Sequence, residues 1–128
     1  MKIHTRPLKI ALFLVYLALV AWICFGSFKP GPHVPRSVLG IPTDKIVHFL
    51  MFLPFPILGA LAFDFRSWWR ALCISTLLAN ACAFCFEHLQ GVITKHRITD
   101  SADLNANFLG ITLGLLISIA VGLAARRR

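Results

Sequence analysis

The strongest constraint on this chain is four apolar runs, at about 8–25, 46–63, 69–86 and 104–125. Each approaches the roughly 20 apolar residues a helix needs to cross a bilayer. Together they take up most of the 128 residues. A soluble all-helical core is the alternative, but four such runs exceed what a small soluble domain can bury. Only 14% of residues are charged, against about 25% in a typical soluble domain. We therefore expect an all-α polytopic membrane protein. The expected bundle has four transmembrane helices, at about 8–27, 44–63, 69–90 and 103–125, in a single domain over residues 1–128.

The formal net charge is +8, which raises the question of nucleic acid. Here Lys and Arg mostly flank the apolar runs, as topology signals do, and form no stripe with interleaved aromatics. No nucleic-acid partner is expected; the expected surroundings are the lipid bilayer. Cys82-x-x-Cys85 copies a redox or metal spacing. With no second pair and an apolar setting, all four cysteines read as packing residues, and no disulfide is expected.

Lys2, Arg6 and Lys9 precede the first run, a pattern shared with signal peptides. The run is long for a signal and lacks a clear small-x-small cleavage site, so it reads as an uncleaved first span. The next stretch contains Pro30, Pro32, Pro35 and Pro42 with Gly31 and Gly40, which excludes regular helix through most of it. Thr43 or Asp44 can cap the second span. Pro54 and Pro56 then interrupt that span and should kink it near mid-membrane. Trp68 and Trp69 read as interfacial anchors after the polar turn Asp64–Ser67.

On the third span, Cys73, Thr76, Asn80, Ala83, Glu87 and Gln90 fall at helical spacing on one face. Asp100, Asp103, Asn107, Gly110 and Gly114 do the same on the fourth. Small and polar residues mediate helix contacts in lipid, so these two faces are expected to meet. Ala106, Gly110, Gly114, Ser118 and Gly122 form a ridge suited to close approach, with Gly110 and Gly114 as packing positions. With both termini on one side, Lys2, Arg6, Lys9, Arg66, Arg70 and Arg126–Arg128 lie opposite Lys29, Arg36, Lys45, Lys95 and Arg97. That is eight of the 13 basic residues against five. The excess favours cytoplasmic termini in a multi-pass protein of the bacterial inner (cytoplasmic) membrane.

This topology brings Asp44, Lys45, His48, Glu87, Gln90, Arg97, Asp100, Asp103 and Asn107 to one outer level. Ionisable groups near lipid are costly and point to function by default. Interhelical pairing of Glu87 with Arg97, or of Asp103 with Lys45, is the structural alternative. In a catalytic reading, Glu87 or Asp103 is the general base and His48 exchanges protons near neutral pH. Arg97 and Lys45 would clamp a phosphate or carboxylate. Asp44, Gln90 and Asn107 would complete the substrate contacts. In a non-catalytic reading, the same patch holds a headgroup, a drug or a peptidoglycan fragment. A transporter ranks last, because no polar residue continues the path inward beyond Asn80. Asp44, His48, Glu87, His88 and Asp103 offer oxygen and nitrogen ligands, but no compact pair such as His-Glu-x-x-His occurs. No metal or other cofactor is expected.

Glu87-x-x-Gln90, then Arg97, then Asp103-x-x-x-Asn107-x-x-Gly110-x-x-x-Gly114, resembles the signature of the VanZ-like membrane proteins. Asp44-Lys45-x-x-His48 is similar to that family's other polar motif. The resemblance covers about residues 44–115. It implies a small polytopic protein of the cell envelope, whose namesake is linked to low-level resistance to the glycopeptide teicoplanin. It implies no settled reaction. A lipid-linked cell-wall precursor or another amphiphile is the partner that a pocket half in lipid would suit.

Overall fold

The computed structural model describes residues 5–25, 35–63, 66–93 and 101–128. Its elements, in chain order, are α1 (Thr5–Phe25), β1 (Ser37–Val38), β2 (Ile41–Pro42), α2 (Thr43–Phe52), α3 (Phe55–Phe63), α4 (Trp68–Ile93) and α5 (Ser101–Arg126). Taken with α2 and α3 as one span, Thr43–Phe63, four helical segments of 21 to 26 residues are long and apolar enough to cross a membrane. The chain is an all-α, four-span bundle. Arg36, Thr43 and Ser101 lie at one end, called here the hairpin end. Thr5, Phe63, Trp68 and Arg126 lie at the other, the arginine end.

The second span is broken as Pro54 and Pro56 require. Proline has no N–H, so the carbonyls of Leu50 and Phe52 lose their usual donors four residues on. The chain turns at Leu53 and Pro54 and resumes as α3. Neighbouring spans supply donors around the break. Tyr16 of α1 donates its hydroxyl to the Met51 carbonyl. Ser75 of α4 donates to the Phe55 carbonyl at 3.1 Å. Without water in the bilayer core, such donors decide whether a broken helix is tolerated.

The two halves of the broken span have different neighbours. The outstanding contacts in the bundle are α2 with α5 and α3 with α4. The glycine ridge of α5 lies on the break and not, as expected, chiefly on the third span. A Cβ on Gly110 would collide with the Phe49 carbonyl, and one on Gly114 with the Leu53 carbonyl and Pro56. Backbone approach this close needs glycine on one side.

The core is aromatic where α1, α2 and α3 meet. Phe55 lies edge-on to Phe13, with centroids 5.4 Å apart, and stacks on Phe52 at 6.1 Å. On α4 the buried stripe is Ala71, Leu72, Ser75, Ala79, Ala83, Glu87 and Gln90. It matches the expected face from Ala83 onward. Towards the arginine end it differs, because Cys73 is exposed and Thr76 and Asn80 are only half-buried. The Asn80 amide is used locally, donating to the Thr76 carbonyl at 2.8 Å. All four cysteines are free thiols.

The proline-rich stretch ends in a two-residue hairpin, with Ser37 opposite Pro42 and Val38 opposite Ile41. Leu39 and Gly40 form its turn with φ of 53° and 79°. Two positive φ values match the twist of a tight hairpin. Neither Thr43 nor Asp44 caps α2; the N-cap position is Pro42, with no side-chain cap bond. Thr43 instead ties the helix back to the hairpin. Its N–H donates to the Arg36 carbonyl at 3.0 Å and its hydroxyl to the Pro35 carbonyl.

Candidate functional site

The start of α2 and the start of α5 lie side by side at the hairpin end. Lys45 and His48 sit three residues apart on α2, so both face the same neighbour. Asp103 and Asn107, four apart on α5, face them. Lys45 Nζ donates to Asp103 and, at 3.1 Å, to Asp44. His48 Nε2 stands 3.7 Å from the second Asp103 oxygen. His48 Nδ1 lies 3.1 Å from Asn107 Oδ1. With Nδ1 held by the Asn107 side chain, the ring turns Nε2 toward the carboxylate.

These five side chains form one network running from the hairpin end into the bundle. Asp44 is its wet end, with a side chain 58% exposed. Lys45 and Asp103 are 19% and 13% exposed. His48 and Asn107 are buried. Asp44 and Asp103 also occupy first helical turns, where a negative charge is favoured by the helix dipole.

Glu87 and Gln90 lie one turn apart on the buried face of α4. Gln90 donates its amide to the Cys24 carbonyl, the last turn of α1. The first span, which carries no polar motif of its own, therefore borders the polar end of the bundle. Glu87 is only 3% exposed. His88 turns away and is exposed, its Nδ1 2.9 Å from the Phe84 carbonyl one turn back. Arg97 and Asp100, with Lys29, His33, Asp64, Lys95 and His96, lie outside the described residues.

A groove of about 470 Å3 opens between α2 and α5 beside this network. Lys45 lies on its wall with Ile46, Phe49, Ala106 and Leu109, and Ile41 of the hairpin closes one side. Its lining is almost wholly apolar, so an ammonium group stands at the edge of a lipid-like trough. Among the described residues, no three His, Cys, Asp or Glu side chains are grouped to hold a metal ion. Sequence reasoning passed over Tyr16 and Ser75, which support the broken span. The signal for Tyr16 was available: it is the chain's one tyrosine, inside an otherwise apolar run.

A bundle of four apolar spans, one broken by proline and carrying a charged network at its end, defines a small multi-pass membrane protein. Residues 13–122 match the family model for VanZ/LLP1, and the chain belongs to that family. No curated protein and no solved structure matches the chain.

Proposed function

We propose that the α2–α5 network is the working site of an envelope protein in the bacterial cytoplasmic membrane. In this reading both termini are cytoplasmic and the hairpin end faces outward. The site takes the polar head of an amphiphilic envelope molecule, such as a lipid-linked cell-wall precursor. The observation that carries the reading is the position of Lys45. Its ammonium bridges two carboxylates and also lines the apolar groove. A phosphate or carboxylate arriving with its tail in the groove would meet that ammonium and the His48 ring. Ionised partners give the stronger hydrogen bonds for such a head. Asp103, His48 and Glu87 are the groups available for proton transfer, and Gln90, Arg97 and Asn107 for orientation. Through this site the protein would alter susceptibility to teicoplanin.

A second reading is favoured by one observation: Lys45 and Asp103 join α2 to α5, a leading helix contact of the bundle. The cluster would then be structural pairing within a non-catalytic scaffold. One experiment separates the readings. Thermal unfolding in detergent and teicoplanin binding to spheroplasts are measured for wild type, Glu87→Gln, Arg97→Ala and Asp103→Asn. Variants that lose far more of its effect than their loss of stability explains support a working site. A binder tolerates Glu87→Gln but not Arg97→Ala, whereas an enzyme tolerates neither. Variants that lose stability in proportion to effect support the scaffold.

A further inference from the structure

The arginine end carries a second concavity, of about 640 Å3, between α3, the start of α4 and the end of α5. Ile57 and Leu61 of α3 and Val121 of α5 give it an apolar wall, and Arg66 and Arg126 also line it. The Arg126 guanidinium lies over the Trp69 ring, 5.0 Å from its centroid. That stacking engages the face of the cation and leaves its in-plane N–H donors available. Among the described residues neither arginine has a carboxylate partner; Asp64, two positions before Arg66, lies outside them.

Gly122 shapes the floor. A Cβ there would stand 2.5 Å from the Trp68 Nε1 and 3.2 Å from Trp69. Trp68 is anchored by donating to the Ser118 carbonyl at 3.4 Å. Indoles of this kind settle at the headgroup level of a bilayer. The groove thus passes from an apolar wall on membrane-spanning helices to two cations at that level. An anionic amphiphile matches both parts, and a free anion matches only the cations.

We propose that this groove binds an anionic phospholipid. The phosphodiester lies between Arg66 and Arg126, and the first part of an acyl chain runs along Ile57, Leu61 and Val121. The site is at the opposite end of the bundle from the α2–α5 network and does not depend on the function assigned to that network.

The test uses the full chain with Trp22→Phe, which leaves Trp68 and Trp69 as the only indoles. Quenching is measured in mixed micelles with brominated phosphatidylglycerol or brominated phosphatidylcholine. Phosphatidylglycerol should quench at a lower mole fraction. Arg66→Gln and Arg126→Gln should each reduce that preference about fivefold. Arg70→Gln, an exposed arginine outside the groove, should leave it in place. Gly122→Leu, which displaces both indoles, should abolish it. Equal quenching by the two lipids, or equal loss with Arg70→Gln, overturns the proposal in favour of general lipid contact. Loss of the preference in millimolar inorganic phosphate overturns it in favour of a free-anion site.

Discussion

Lys45 and Asp103, 58 residues apart in sequence, form an ion pair that joins the first turns of α2 and α5. Both side chains are largely shielded, so the pair combines an attraction with a desolvation cost. Breaking a buried pair by removing one partner costs about 3–5 kcal/mol, mostly from the charge left behind. Asp44 softens that cost, because it can keep Lys45 as a partner. We expect Asp103→Asn and Lys45→Met each to destabilise the protein by about 1–3 kcal/mol. The double variant should lose less than the sum. Detergent unfolding of all three gives the coupling directly, and purely additive losses would show that the pair contributes nothing.

The glycines of α5 should tolerate substitution poorly for a different reason. Gly110→Ala and Gly114→Ala each place a methyl group against a carbonyl of the second span. Overpacking of this kind costs about 1–3 kcal/mol. Because both clashes lie on one interface, the double variant should separate α2 from α5 without unfolding α4. Cross-linking between cysteines introduced at Ile46 and Ala106, which line the groove between α2 and α5, would measure the separation. Retention of the cross-link in a Gly114→Ala background would count against this account.

Tyr16→Phe and Ser75→Ala remove the donors around the broken span. Hydrogen bonds between membrane helices average about 0.6 kcal/mol and reach about 1.7. Each substitution should therefore cost about 1 kcal/mol in unfolding experiments. Hydrogen exchange of the α2–α3 amides should rise in both. An unchanged exchange rate would mean that other groups satisfy the Met51 and Phe55 carbonyls.

The proposed orientation places Ser101 and Ser67 on opposite sides of the membrane. In a background with Cys24, Cys73, Cys82 and Cys85 replaced by alanine, Ser101→Cys should react with an impermeant maleimide in intact cells. Ser67→Cys should react only after lysis. The reverse pattern would place the Lys45 network on the cytoplasmic side and remove the envelope substrate from consideration.

The four spans and the family were legible because long apolar runs and ordered polar motifs are local features of the sequence. The grouping of Lys45, His48, Asp103 and Asn107 was legible too, since each pair repeats at helical spacing near a span end. Helix partners were harder to read. Gly110 and Gly114 advertise close approach without saying to what, and their neighbours are carbonyls, which any sequence supplies. Cys73 looked like a face residue because it is small, yet Ser75 holds the buried position through its bond to Phe55. The role of Gln90 was hidden because its acceptor is a backbone atom of Cys24.

The break at Leu53 and Pro54 divides the second span's loyalties. The half before the break, α2, belongs with α5, and the half after it, α3, with α4. A continuous helix would transmit any tilt along its whole length. Here the lever has a joint at its midpoint, and the joint bears on two glycines that offer no side chain to catch. A tilt of α2 against α5 at the hairpin end therefore need not carry through to the tryptophan-lined end.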